Sequence, residues 1–341
     1  MSAHSGATKV RAARPAWYQA LSRYTQPNLG KATWQLLNTF VPYLALWVLM
    51  VRTVQLGYPY WITLALAVVA AGFLVRIFIF FHDCGHGSFF ASRRANTILG
   101  YISGILTFTP YEDWRRAHAV HHATAGNLDR RGVGDVWTLT VDEYRAAPRL
   151  RRLAYRFFRN PFVMFGLGPA FVFLIAQRFS RRGGRKRERY SVILTDLAIL
   201  AIISLASLTI GLRTYLLIQL PVMLIAGAAG VWLFYVQHQF EGVYWARRNA
   251  WDPIRAALEG SSYYQLPKVL QWFTGNIGLH HIHHIQPRIA NYNLQPCYDE
   301  MPIFQAVEPL TILKSLKSLT LNLWDEKAGQ LVSFRSLPAL T

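Results

Sequence analysis

Three groups of histidines carry the chemical potential of this chain. They are His82-Asp83-Cys84-Gly85-His86, His118-Ala119-Val120-His121-His122 and Gly278-Leu279-His280-His281-Ile282-His283-His284. The third group puts four imidazoles within five residues, in a chain with only 11 histidines, so chance is a poor account of it. On a helix, residues i, i+3 and i+4 project from one side. His82 and His86 therefore pair, and His118, His121 and His122 share a face, as do His280, His283 and His284. Histidine is a weak helix former, and crowded imidazolium ions repel. A bound metal removes that conflict. The bland alternatives are interfacial histidines at a membrane surface and a solvated basic patch beside Arg115 and Arg116. The repetition of the spacing favours metal.

A further histidine, His238, follows an apolar run in Tyr235-Val236-Gln237-His238-Gln239. It makes nine candidate ligands: His82, His86, His118, His121, His122, His238, His280, His283 and His284. Nine exceed the needs of one ion and suit two metals with four or five nitrogens each. His281 points off the shared face of its group, which makes it a partner of a ligand or a structural residue. Asp83, between two ligands, either orients one of them or caps the helix. Asn127, Asp129 and Asp135 read as turn residues rather than as partners of ligands. His4 belongs to the N-terminal arm and is left out of the site.

Imidazole suits zinc, copper, iron and nickel, so ligand type alone does not choose the metal. A structural zinc site closes at four ligands and usually includes cysteine. The chain has only Cys84 and Cys297, without CxxC spacing, which excludes four-cysteine zinc and iron–sulfur sites and a disulfide framework. No H-E-x-x-H hydrolase motif occurs, nor the Glu-x-x-His of soluble di-iron bundles. What remains is a redox pair of irons on neutral imidazoles, able to turn O₂ against a C–H bond of a lipid chain.

The elements that position these groups are membrane helices. Hydrophobic residues make up 52% of the chain and charged residues 16%, against about a quarter charged in soluble proteins. The net charge is nevertheless +19. Basic runs separate long apolar runs and no nucleic-acid motif occurs, so a membrane protein is favoured over a nucleic-acid binder. Spans are expected at about 39–56, 61–81, 192–212 and 214–236, as two hairpins. Segments 95–110 and 161–177, broken by Gly and Pro, are expected to be re-entrant or interfacial. A polar arm, 1–33, precedes this domain (34–298), with a short interfacial helix around Trp17–Tyr24. A tail, 299–341, follows it. The N-terminus has no signal-peptide apolar region, so no cleavage is expected.

The positive-inside rule places the basic arm, 111–160 and 178–189 in the cytoplasm. Every histidine group then lies on the cytoplasmic side, held by a helical cap. Arg76, inside the second apolar run, is expected to snorkel. The run Arg181 to Arg189 is expected to anchor to anionic lipid, with docking of an acidic ferredoxin as a lesser role. The fold class is thus an all-α integral membrane protein, with four spans in two hairpins and a histidine-rich di-iron site in its cap.

These three boxes between paired spans resemble the membrane fatty acid desaturase family. The similarity is nearest to bacterial acyl-lipid desaturases of the Bacillus Δ5 type and their Δ12-like relatives. It is carried by Arg76–Phe89, His118–Tyr144, Gly230–Glu241 and Glu259–Leu294, within a broader similarity from about 35 to 298. The resemblance implies two non-haem irons with O₂ as co-substrate and a cis double bond made in a membrane glycerolipid acyl chain. Electrons would come from ferredoxin or a similar donor, at the bacterial inner membrane. The family's box ligands carry over onto the eight box histidines, and its additional late histidine onto His238.

Three departures accompany the match. His281 is extra. Ala290 stands where relatives often have Pro, which predicts a looser backbone. No Asn lies within a turn of His238, where some relatives use one to hold a water ligand. A related di-iron hydroxylase or ketolase acting on alkanes, sterols or carotenoids would carry similar boxes, although the residues after the second box favour desaturases. A non-catalytic metal-binding or lipid-sensing membrane protein is the other alternative.

Overall fold

The structure, a computed structural model, describes residues 15–337. His4 and the basic residues Lys9, Arg11 and Arg14 of the expected arm lie outside the described residues. Four helices among the described residues are long and apolar enough to cross a membrane: Leu29–Gln55, Tyr60–His86, Lys186–Thr209 and Leu212–His238. Asn28 starts the first by accepting the Lys31 backbone N–H at 2.9 Å. Pro59 precedes the second, and Gly87 ends it in the left-handed region at φ 68°. The third and fourth are joined across Ile210 and Gly211, as an antiparallel hairpin requires.

The lengths of two of these helices set the height of the site. Tyr60–His86 and Leu212–His238 each have 27 residues. At 1.5 Å per residue each is about 40 Å long, beyond a hydrocarbon core of about 30 Å. Both start at short loops at the same end of the bundle. Their last two turns therefore emerge together at the other end, carrying His82, His86 and His238. Tyr60–His86 is the central helix, with 61% of its most apolar window buried, against 17% for Leu29–Gln55.

Shorter elements close the histidine end. Helix Arg93–Leu106, capped by Ser92, packs back on the central helix. Helix Tyr111–Thr124 carries the second box. Arg149–Phe158 and the apolar segment Val163–Arg178 meet at a 65° bend. Helices His280–Ile285 and Asn291–Glu300 carry the third box and its support. Strand Pro309–Thr311 pairs in parallel with Tyr263–Gln265, and a hairpin pairs Leu323–Asp325 with Gln330–Val332. Residues 299–337 are folded into the cap: Leu323 and Trp324 are buried, and Trp324 N–H donates to the Leu139 carbonyl at 3.0 Å.

Near the N-terminus a helix, Ala16–Ala20, leads into a 3₁₀ turn, Leu21–Thr25. It packs against the third-box region. Leu21 is buried with Ile285 and Leu294, and the Tyr24 hydroxyl donates to Glu300 at 2.8 Å.

One expectation about an arginine is corrected. Arg76 does not snorkel. Helix Lys268–Phe273 folds against the central helix and brings the Trp272 ring to 4.0 Å from the guanidinium. Arg76 donates to Thr39 Oγ1 at 3.0 Å and to the Trp272 carbonyl, at the C-terminal end of that short helix, where a cation is favoured. A buried arginine satisfied in this way has no reason to reach for headgroups.

The basic residues of the run 181–189 are exposed, and two of them are shared with carboxylates of the second-box helix. Arg181 pairs with Asp113 at 3.2 Å, Arg187 with the buried Glu112 at 2.6 Å, and Glu188 with Arg116 at 2.6 Å. These pairs fasten the second-box helix to the start of Lys186–Thr209. The acidic first turn of Tyr111–Thr124, favourable at a helix N-terminus, attracts the arginines.

Candidate metal centre

All nine sequence-selected histidines converge, in two clusters. His82, His86, His118, His122 and His283 form one; His121, His238, His280 and His284 form the other. Within each cluster one nitrogen per residue lies within 4.8 Å of all the others. The division follows helix geometry. Residues i and i+4 point about 40° apart, whereas neighbours in sequence point about 100° apart. The pairs His82/His86, His118/His122 and His280/His284 each stay together. The remaining histidine of each H-x-x-H-H box crosses over: His121 joins His280/His284, and His283 joins His118/His122. The shared face expected for each triplet is thus split, and each of the second and third boxes serves both clusters.

The Nε2 atoms face one another. His121 to His238 is 3.0 Å, His238 to His280 is 3.0 Å and His280 to His284 is 3.1 Å. In the other cluster His118 to His122 is 3.1 Å and His122 to His283 is 3.0 Å. One ring nitrogen offers either a proton or a lone pair, so His238, His280 and His122 cannot satisfy two such neighbours with linear hydrogen bonds. Ligands at right angles and about 2.1 Å from a common ion sit about 3.0 Å apart, which matches. His82 Nε2 and His86 Nε2 are shielded from solvent and have no hydrogen-bond partner. A buried lone pair left free in this way fits metal ligation.

The outer nitrogens set the tautomers. His238 Nδ1 lies 3.1 Å from the Gly260 carbonyl, which only accepts, so Nδ1 carries the proton and Nε2 presents its lone pair. His121 Nδ1 donates to Asp135 at 2.7 Å, and His82 Nδ1 to Asp83 at 3.1 Å. The other oxygen of Asp83 accepts from Asn291 N at 2.7 Å and Asn291 Nδ2 at 2.9 Å. Asn291 Oδ1 accepts in turn from Gln35 at 2.8 Å. A polar chain therefore runs from the first long helix through the third-box region to the first box. Burial, reinforced by neighbouring imidazoles, pushes His118, His122, His280, His283 and His284 well below the usual histidine range. The shift favours the neutral imidazole, the form that can ligate a metal.

His281 lies outside both clusters. It is fully buried among Tyr263, Tyr298 and Phe304, and its ring nitrogens face backbone groups of Ser262 and Phe304 without closing a well-formed hydrogen bond. Burial lowers its pKa to about 4.

Of the three residues read as turn formers, Asn127 caps a turn by accepting Asp129 N–H, and Asp129 pairs with Arg247 at 2.6 Å. Asp135 does not fit that reading: it holds His121. The glycine before it was the available signal. Gly134 has φ +72°, and a Cβ there would lie 3.1 Å from His121 Cβ, so the loop reaches the helix only because the residue is glycine. Ala290 has φ −66°, the value a proline would impose, and Asn291 beside it is clamped by Asp83, so the backbone there is not loosened. Gln237 and Gln239, which flank His238, are bound elsewhere, to the Ile277 carbonyl and to Arg159 and Thr138.

The third-box helix has only six residues and depends on tertiary support. Gly278 provides it: Tyr264 N–H donates to its carbonyl at 2.7 Å, and a Cβ at Gly278 would sit 2.3 Å from the Tyr264 carbonyl oxygen. Gly278→Ala is expected to destabilise the protein by about 3 kcal/mol through this clash, lowering the thermal midpoint in detergent. An unchanged midpoint would mean that strand Tyr263–Gln265 does not brace the box.

Fold and site together define a class: a helical membrane protein with paired polyhistidine clusters, fit to hold metal, at one end of its bundle. Comparison with known proteins is consistent with this. The family model for fatty acid desaturase matches residues 59–308. A "Fatty acid desaturase" of Bacillus subtilis (strain 168) is 50% identical over 317 residues, covering 93% of this chain and 90% of the relative. An "sn-1 oleoyl-lipid 12-desaturase" of Synechocystis is 26% identical over 65% of this chain and 63% of that protein. An "Omega-3 fatty acid desaturase, endoplasmic reticulum" of Vigna radiata is 27% identical over 77% of this chain and 74% of its own length. The chain belongs to the fatty acid desaturase family and is an enzyme of that family.

Proposed function

We propose that this enzyme is an O₂-dependent acyl-lipid desaturase that makes a cis double bond in acyl chains of membrane glycerolipids. The observation that carries the reading is the convergence of nine imidazoles into clusters of five and four, with no thiolate or carboxylate in either set. Such a donor set suits two redox-active first-row ions, read here as iron. His82, His86, His118, His122 and His283 hold one; His121, His238, His280 and His284 hold the other. Bound there, the irons supply the one-electron and dioxygen chemistry.

The rest of the reaction rests on the chain. Asp83, Asp135 and the Gly260 carbonyl hold three rings with Nε2 inward. Trp114, stacked on His118 at 4.3 Å, and Phe234, 5.2 Å from His121, keep water from the imidazoles. The substrate's CH₂–CH₂ unit gives up two hydrogen atoms. With two electrons and two protons from outside, they reduce one O₂ to two waters. The electrons come from an external carrier such as ferredoxin. The surplus of arginine at the histidine end favours a cytoplasmic site at a bacterial inner membrane. The lipid-linked substrate named for the Synechocystis relative favours glycerolipid over free acid.

The test is expression in a host lacking polyunsaturated lipid, with double bonds located by gas chromatography–mass spectrometry and metal measured on the purified protein. New cis-unsaturated chains in glycerolipids, with about two irons per chain, are the expected result. Hydroxylated or ketone products, or full activity without iron, would overturn the reading.

A further inference from the structure

Helix Arg149–Phe158 has a surface that nothing among the described residues covers. One side packs inward through Tyr155 and the adjoining Arg159, both buried. The opposite side presents Leu150, Leu153 and Phe157, spaced i, i+3, i+7, at 79%, 55% and 64% exposure; Phe162 follows at 87%. Arg149 and Arg151, next to Leu150 in sequence, lie about 100° to either side of it. The outward apolar stripe is thus flanked by a cation on each edge. Among the described residues, neither Arg149, Arg151 nor the nearby Arg152 has a carboxylate or any other polar partner. This contrasts with Arg181 and Arg187, whose charges are taken up by Asp113 and Glu112.

The stripe also continues into the membrane-facing surface. Segment Val163–Arg178, at 65° to the helix, packs on Leu212–His238 with Phe165 5.1 Å from Trp232. Its exposed Leu167, Phe171 and Ile175 extend the apolar surface of Leu150, Leu153, Phe157 and Phe162. A helix bent 65° from the adjoining apolar segment, apolar outward and cationic at both edges, has the arrangement of one lying in a membrane surface. In that setting acyl chains would cover the stripe, and the arginines would reach past it to phosphates.

We propose that Arg149–Phe158 is a membrane-surface helix whose unpaired arginines, Arg149 and Arg151 foremost, bind anionic phospholipid headgroups. In the basic run 181–189, Arg181 and Arg187 are shared with Asp113 and Glu112, and this helix adds a second cationic surface beside an apolar stripe. An acidic protein would match the arginines but would leave the continuous apolar stripe without cover. The proposal rests on the membrane-spanning fold and is independent of the chemistry at the histidines.

The test uses the full-length protein in vesicles of phosphatidylcholine and phosphatidylglycerol. Cys84 and Cys297 are buried, so a fluorophore on Leu153→Cys labels one site. Lys327→Cys, in the exposed turn of the C-terminal hairpin, is the aqueous control. The label at 153 is expected to be quenched by nitroxide on lipid acyl chains and shielded from iodide, with the reverse at 327. In detergent, the ratio of co-purifying phosphatidylglycerol to phosphatidylcholine is expected to fall about fivefold for each of Arg149→Gln and Arg151→Gln, and about 25-fold for both. An iodide-accessible label at 153, or an unchanged lipid ratio in the double variant, overturns the proposal. So does a double variant that keeps its lipid ratio but loses electron transfer from an acidic carrier, which would make this face a protein-docking surface.

Discussion

His121→Ala is expected to abolish desaturation, lowering product in host glycerolipids by at least about 100-fold, since loss of even an outer partner of a ligand costs 10–100-fold. The argument is geometric. His121 is the only second-box member of the four-histidine cluster, so its removal leaves three histidines there and leaves the other cluster whole. It also strands Asp135, which then faces the site without the imidazole it held at 2.7 Å. Iron content is therefore expected to fall by about half rather than to nothing, one of two ions being lost. Product analysis and elemental analysis of the same preparation check both parts. A variant with full iron and full product would remove His121 from the centre.

The second large effect is expected at Asp83. Its carboxylate is buried and accepts three donors: His82 Nδ1, Asn291 N and Asn291 Nδ2. Asp83→Ala leaves all three without an acceptor. A stranded buried donor costs about 1–3 kcal/mol, so a total of about 3 kcal/mol or more is expected. Alanine is a good helix former, so this cost does not come from the central helix itself. The change also frees His82 to rotate, and metal affinity is expected to fall about 10–100-fold. Melting in the presence of chelator isolates the structural part, and metal titration gives the other. Asp83→Asn keeps one acceptor and is expected to fall between the two. Wild-type melting of Asp83→Ala in chelator would show that the Asn291 clamp contributes nothing to the fold.

Much of this protein is local in origin and so is legible in one dimension. Apolar runs long enough to cross a bilayer stand out by composition, because lipid tolerates few charges and requires backbone groups to be satisfied within a helix. The i, i+4 pairs His82/His86, His118/His122 and His280/His284 follow from helical periodicity. The count of nine imidazoles, suited to two ions, needs no knowledge of distant contacts. Even the crossing of His121 and His283 to the opposite clusters has a local cause, the 100° step between neighbours, although the triplet spacing hides it.

The partners of those residues belong to the other class. Asp135 lies only 14 residues beyond His121, yet what places it on the ring is a loop folded back at Gly134. Arg76 looks like a snorkelling residue until Trp272, 196 positions away, brings a ring and a carbonyl to it. The charges of Arg181 and Arg187 look free until Asp113 and Glu112 are found opposite them. By itself the sequence determined the spans, the histidine pairs and a donor set suited to metal, because each depends on residues within a turn or two of one another. Only the tertiary structure decided which imidazole joins which cluster, what holds each ring and which arginines find a carboxylate. Those outcomes depend on contacts between segments tens to hundreds of residues apart, which no local spacing encodes.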